Sequence, residues 1–204
     1  MTSLFIFDFD GCITDWNDKL SRDRANKIAH AMNFLFQYGA IEIISMANRA
    51  HINAMVNQSK SKSLIKVFDQ IPWSQWSTIE KREHLTQINP SRRESEKKQR
   101  AMIMEIMKSE QWLTDLDCIY AYKKTHALMA ISKHYGIAPE HIYFFDDNMY
   151  NIIFARSNGF NALLVNNHPA MFELNLRTQL GMVQKEIMLR QNIKTKSIAN
   201  NLDL

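Results

Sequence analysis

The chain has 204 residues and a mass of 23.9 kDa, which suits one domain or one domain with an inserted subdomain. Apolar residues make up 46% and charged residues 23%, which excludes a disordered or collagen-like chain. The formal net charge of +4 is too small by itself to indicate nucleic-acid binding. Because no apolar run approaches the ~20 residues that span a bilayer and the N-terminus lacks a signal-peptide pattern, we expect a cytoplasmic protein without a membrane span.

Short apolar runs alternate with helical patterns along most of the chain. Strands are predicted at 4–9, 41–45, 118–121, 142–145 and 162–165. Helices are predicted at 21–38, where Gly39 follows as a stop, and at 50–56, 92–109 and 125–135, the last closed by Gly136. Strands alternating with helices indicate an α/β fold with a doubly wound, Rossmann-like parallel sheet.

One segment fits this alternation poorly. Residues 61–112 hold Trp73, Trp76 and Trp112 and a basic cluster between Lys81 and Arg100 whose net charge equals that of the whole chain. We interpret this segment as an inserted, mainly helical, cap-like subdomain. The α/β core would then take residues 1–60 and 113–175, and residues 176–204 form a helical tail whose docking stays open. The basic cluster is interpreted as a solvated helical face, with a phosphate-rich partner or substrate as the alternative.

The predicted strand ends carry carboxylates and one hydroxyl, which are Asp8 and Asp10, Ser45, and Asp146 and Asp147. In open α/β sheets ligands bind outside the carboxyl ends of the strands. Clustered carboxylates repel one another unless a cation neutralises them, and all-oxygen ligands suit Mg²⁺. Because Cys12 and Cys118 alone cannot build a zinc site, any metal must be held mainly by oxygen.

These residue types can also carry out phosphate chemistry. One carboxylate held against a metal can attack phosphorus, while a second can protonate the leaving oxygen and later deprotonate water. Ser45 would donate a hydrogen bond to a phosphoryl oxygen. A lysine from another loop would balance the negative charge at the transition state.

The sequence resembles the haloacid dehalogenase (HAD) superfamily at four motifs. The run Phe5-Ile6-Phe7-Asp8-Phe9-Asp10-Gly11-Cys12-Ile13-Thr14 is similar to the first motif, and Ser45 after residues 41–44 is similar to the second. Similar to the third and fourth motifs are Lys124 with Ala127-Leu128, Gly136-Ile137, and Phe144-Phe145-Asp146-Asp147-Asn148 with Asn151. The match covers roughly residues 4–60 and 118–166. Four motifs in order are far more specific than one.

The resemblance implies a role for each matching position. Asp8 matches the nucleophile that forms an aspartyl-phosphate, and Asp10 matches the general acid/base. Asp8, Asp146 and the backbone carbonyl of Asp10 would ligate Mg²⁺, and Asp147 would bind or orient metal-bound water. Ser45 matches the phosphate-binding hydroxyl, and Lys124, with Lys123 as the alternative, matches the phosphate-stabilising lysine.

These positions predict a Mg²⁺-dependent phosphatase acting on a phosphate monoester. The substrate stays open among a small molecule, a nucleotide, a phosphoprotein and a nucleic-acid terminus, and the oligomeric state stays open too. One alternative is a binding module on the same fold that has lost catalysis. The other is a nucleic-acid- or phosphoprotein-binding protein that uses the basic insert.

Overall fold

Four parallel strands form one sheet in the part of the chain that the computed structural model describes, residues 3–15, 17, 19–45, 47–72, 115–166 and 168–202. The strands are β1 (Ser3–Asp8), β2 (Gly39–Ile44), β3 (Ile142–Asp146) and β4 (Asn161–Leu164). Their order across the sheet is β2-β1-β3-β4, so the first strand of the chain is central. The parallel pairing brings the carboxyl ends of all four strands to one edge.

Six helices and one 3-10 turn connect these strands in the described residues. The helices are α1 (Arg22–Leu35), α2 (Arg49–Gln58), α3 (Lys62–Phe68), α4 (Asp115–Tyr135), α5 (Met149–Ser157) and α6 (Pro169–Leu202), and the 3-10 turn is Pro139–His141. Several of these helices have a side chain that caps their N-terminus. At the start of α1, the Ser21 hydroxyl accepts a hydrogen bond from the backbone N–H of Arg24. None of the helices in these ranges is both long and apolar enough to cross a membrane.

The sheet is covered by helices on both faces. Phe5 and Phe7 of β1 belong to one buried cluster with residues of α1, α2, α3 and α6. Leu4 and Ile6 belong to a second cluster with residues of α4 and α5. Alternate residues of a strand point to opposite faces, so the continuous apolar run of β1 fills two cores. The predicted doubly wound α/β fold is confirmed.

The strand predicted at 118–121 is wrong. These residues lie inside α4, which begins at Asp115 and continues through the helix predicted at 125–135. Ala121 is buried against Tyr150 and Phe154 of α5. A short run of apolar and aromatic residues does not by itself distinguish a strand from a buried helical turn, and here packing on α5 favours the helix.

The predicted insert begins inside the core cluster. Leu64, Val67 and Phe68 of α3, together with Ile71, pack in the cluster that contains α1. Residues 73–114 lie outside the described residues, and with them the basic cluster, Trp73, Trp76, Trp112 and the helix predicted at 92–109. The cap-like subdomain therefore stays a prediction.

The C-terminal helix docks on the core. Its buried apolar residues are Phe172, Leu176, Val183 and Ile187, which join the cluster of α1. The helix starts at Pro169, before the tail boundary predicted at 176. The described part of the tail therefore covers one face of the sheet.

The outer side of β4 is occupied by side chains. Because the backbone N–H of Val165 donates to the carbonyl oxygen of Asp146 on β3, the carbonyls of Ala162 and Leu164 point away from β3. Arg156 Nε donates to the Ala162 oxygen at 2.9 Å. Gln179 of α6 donates through its amide to the Leu164 oxygen.

Candidate active site

Two aspartates lie side by side at the carboxyl edge of the two central strands. Asp8 ends β1 and Asp146 ends β3, and the pairing of Phe7 with Phe145 puts the two positions in register. Both are deeply buried, Asp8 at 3% and Asp146 at 0% exposure. Two carboxylates at this depth repel each other and require compensating positive charge or hydrogen bonds.

Lys124 supplies that positive charge. Its ammonium nitrogen lies 2.7 Å from Asp8 Oδ2 and 2.8 Å from Asp146 Oδ2, and the residue is 5% exposed. The lysine comes from the third turn of α4, and not from a loop as the sequence suggested. Lys123, the alternative, is partly exposed. Of the two lysines, the structure therefore places Lys124 against both aspartates.

Asp146 is further held by the start of α5. Asn151 Nδ2 donates to both carboxylate oxygens, at 2.8 and 2.9 Å, and the backbone N–H of Asn148 donates to Oδ1 at 2.8 Å. Asn151 lies within the fourth motif, but the sequence indicated no role for it. Because its amide donates to both oxygens, it fixes the plane of the Asp146 carboxylate.

A third carboxylate completes a cluster that could hold a metal. Oxygens of Asp8, Asp146 and Asp147 all lie within 4.8 Å of one another. Asp8 Oδ1 is buried and has no hydrogen-bond partner among the described residues. A buried carboxylate oxygen that accepts no hydrogen bond, beside two further carboxylates, is suited to a hard divalent cation such as Mg²⁺. The donor set present thus fits the predicted metal.

Gly11 makes room for this cluster. Its backbone has φ +75°, and a Cβ built there would lie 2.2 Å from Asp147 Oδ2. The left-handed backbone favours glycine, and any larger residue would also displace the Asp147 carboxylate. The glycine of the first motif therefore lets the β1 loop pass directly against Asp147.

Burial and charge shift the ionisation of the two central groups. Burial raises the pKa of Asp8 well above its usual range, and the charges of Asp146 and Asp147 add to the rise, while Lys124 opposes it. Burial acts to lower the pKa of Lys124, but the adjacent Asp146 and Asp8 outweigh burial and raise it. The lysine is therefore held charged, whereas ionised Asp8 is costly without additional positive charge.

Asp10 and Ser45 form a second pair beside the cluster. Ser45 Oγ donates to Asp10 Oδ2 at 3.0 Å and accepts from the backbone N–H of Ala47 at 2.9 Å. Ser45 is fully buried, and Asp10 is partly exposed. Asp10 is the predicted site carboxylate that lies outside the group formed by Asp8, Asp146 and Asp147. Its role as general acid/base stays a prediction. The prediction that the Asp10 carbonyl ligates a metal stays a prediction.

Known proteins are similar to this chain in three-dimensional structure. No protein-family model matches the chain, and no curated protein sequence matches it. Among solved structures it is similar to a hydrolase described as the haloacid dehalogenase-like family protein SP0104 from Streptococcus pneumoniae, with a TM-score of 0.44 and 10% identity over 81% of this chain and 85% of that one. It is also similar to TM0651 from Thermotoga maritima, with a TM-score of 0.43 and 12% identity over 86% of this chain and 90% of that one.

Proposed function

We propose that this chain is a Mg²⁺-dependent hydrolase of phosphate monoesters that works through an aspartyl-phosphate on Asp8. The observation that carries the proposal is the buried Asp8 carboxylate beside Asp146 and Asp147. One of its oxygens lies against Lys124, and the other has no hydrogen-bond donor within the part of the chain that the structure describes. Asp8, Asp146 and Asp147 would hold the Mg²⁺. When bound, Mg²⁺ would neutralise charge on the carboxylates and on a phosphoryl oxygen.

The chain's own residues divide the reaction into two steps. In the first, a carboxylate oxygen of Asp8 attacks phosphorus, the bond from phosphorus to the ester oxygen breaks, and Asp10 gives its proton to the leaving alcohol. In the second, Asp10 takes a proton from water, the resulting hydroxide attacks phosphorus, and the bond to Asp8 breaks. Inorganic phosphate leaves, and both carboxylates return to their starting states.

Ser45 and Lys124 would stabilise the transferred phosphoryl group. The Ser45 hydroxyl is fixed by the N–H of Ala47 and lies within reach of Asp10, so it is held at the edge where the phosphoryl group must sit. The Lys124 ammonium touches the nucleophile itself. Fixed donors aimed at developing negative charge can each be worth about 10²-fold or more in rate.

The test is phosphate release from an aryl phosphate with and without Mg²⁺, comparing the native chain with Asp8→Asn. The variant keeps the size of the side chain and removes the nucleophilic carboxylate. We expect Mg²⁺-dependent turnover in the native chain and a loss of at least about 10⁴-fold in kcat in the variant, as is typical when a nucleophile is removed. Undiminished activity in Asp8→Asn would contradict the nucleophile. Absence of turnover in a native chain that binds Mg²⁺ would favour the binding module instead.

A further inference from the structure

A second buried cation lies beside the loop that carries Asp10. Arg24 lies in the first turn of α1 and is 6% exposed. Its Nε donates to the carbonyl oxygen of Ile13 and its Nη2 donates to the carbonyl oxygen of Cys12, each at 2.9 Å. Burying a guanidinium is costly unless its donors are used, so these two bonds are a specific arrangement.

The two carbonyls belong to the loop that carries Asp10. Within this loop the backbone N–H groups of Ile13 and Thr14 both donate to the Phe9 oxygen, at 2.9 and 3.0 Å. The backbone N–H of Gly11 donates to Thr14 Oγ1 at 2.8 Å. These bonds fold the loop back on itself around Asp10. Arg24, which belongs to α1, binds the loop through the carbonyl oxygens of Cys12 and Ile13.

The same loop is joined to β3 through Cys12. The Cys12 thiol is buried and donates to the carbonyl oxygen of Phe145 at 3.6 Å, one residue before Asp146. Arg24 thus holds a residue whose thiol reaches the end of β3, next to Asp146.

The guanidinium is fixed in turn by the C-terminal helix. The Arg24 Cζ atom lies 3.7 Å from the centre of the Phe172 ring, over its face. A planar guanidinium can stack on an aromatic ring and still donate in its own plane, which an ammonium cannot do. Through Phe172, α6 therefore contacts the side chain that binds the loop of the candidate active site.

We infer that Arg24 is a positioning residue for this active site, holding the Asp10 loop through the Cys12 and Ile13 carbonyls while Phe172 of α6 fixes the plane of its guanidinium. The inference rests on the proposed function for its catalytic consequence. Arg24 orients the general acid/base and does not contact the substrate. Its loss should therefore lower kcat and leave the KM for an aryl phosphate little changed.

The experiment compares Arg24→Lys with Arg22→Lys, a control on the same helix at an exposed position. We expect kcat to fall by about 100-fold in Arg24→Lys, since small misplacements of reacting groups have effects of that size. Arg22→Lys should match the native chain. Phe172→Leu keeps Arg24 and removes its stacking surface, so it should lower kcat less than Arg24→Lys does.

Two further measurements separate positioning from a general loss of structure. Added guanidinium should restore kcat to Arg24→Ala, whereas sodium chloride at equal concentration should not. Hydrogen exchange at the amides of Ile13 and Thr14 should be faster in Arg24→Lys than in the native chain and in Arg22→Lys. Native kcat in Arg24→Lys, or unchanged exchange at these amides, would overturn the inference. Should the native chain show no turnover, the proposed function fails, and the exchange measurement still decides whether Arg24 holds the loop.

Discussion

At the scale of single residues, Lys124 decides whether the carboxylates can stay buried together. It contacts Asp8 and Asp146 at 2.7 and 2.8 Å in a site almost closed to solvent. Removing one partner of a buried ion pair leaves an uncompensated charge and typically costs 3 to 5 kcal/mol, roughly, in stability. The adjacent Lys123 is partly exposed and provides a matched control.

We therefore predict that Lys124→Met lowers the free energy of unfolding by about 3 kcal/mol or more in the absence of divalent metal. Lys123→Met should change it by about 0.5 kcal/mol or less, as is usual at the surface. Urea unfolding in EDTA, followed by circular dichroism, measures both. Mg²⁺ should recover part of the loss in Lys124→Met because it supplies the missing positive charge. Equal losses of unfolding free energy in the two variants would contradict the position of Lys124 between Asp8 and Asp146.

Single-residue contacts across the fold were the part that the sequence could not predict. Glu42 lies within a predicted strand, yet it is fully buried and accepts a hydrogen bond from the Tyr135 hydroxyl at 2.7 Å. Arg24 lies at a helical position that, by charge alone, would be solvent-exposed. The Tyr135–Glu42 hydrogen bond and the contact of Arg24 with Phe172 join elements distant in sequence, so no local spacing indicates them.

At the scale of elements, the sequence predicted the edge that carries the candidate site. The strands that end at Asp8 and Asp146 and the strand before Ser45 were all predicted within a few residues of their observed ends. Their apolar runs are unambiguous because both faces of a central parallel strand are buried. α4 was misread because its first described turns hold apolar and aromatic residues, and the helical spacing shows only when Ala121, Leu128 and Ile131 are taken together.

Gly39 is needed in this fold for a reason that the sequence did not indicate. The sequence suggested a helix stop, but α1 ends at Leu35 and Gly39 is the first residue of β2, paired with Ser3. A Cβ at Gly39 would lie 1.8 Å from the Ser3 carbonyl oxygen, which is backbone and cannot turn away. The glycine is therefore required by the start of the β1–β2 pairing.

We predict that Gly39→Ala destabilises the fold by about 2 kcal/mol or more, the usual cost of forcing an atom into a packed region. Gly181→Ala is the control, since its Cβ would meet nothing within 4 Å. Alanine should stabilise that position in α6 by about 0.5 to 1 kcal/mol. Thermal unfolding of the two variants should shift in opposite directions. A Gly39→Ala midpoint equal to that of the native chain would show that β1 and β2 can move apart there.

At the scale of the whole molecule, burying the Asp8 carboxyl group lowers the stability of the fold. Burial raises the pKa of Asp8, so its ionised form is disfavoured in the folded state relative to the unfolded state. This cost is absent at a pH low enough to protonate Asp8 in both states. It appears as the pH rises through the ordinary aspartate value of about 3.9 and is complete above the raised pKa of the folded state.

We predict that Asp8→Asn is more stable than the native chain in EDTA at neutral pH, by about 1 kcal/mol or more, since one pKa unit corresponds to about 1.4 kcal/mol. The difference should shrink as the pH is lowered toward 4. Mg²⁺ should stabilise the native chain more than the variant, because the native site binds it more tightly. Calorimetric scans with EDTA or Mg²⁺ at several pH values measure all three effects. If Asp8→Asn were less stable than the native chain in EDTA at neutral pH, ionised Asp8 would stabilise the fold, contrary to this prediction.

The side chains along the outer side of β4 bear on how copies of this chain meet one another. An edge strand with free backbone acceptors is a template on which another strand can add, and such pairing leads to aggregation. Arg156 and Gln179 already donate to the outward carbonyls of Ala162 and Leu164, so an arriving strand would have to displace both donors. The helices that cover the core thereby also protect the β4 edge against pairing with a strand of another copy.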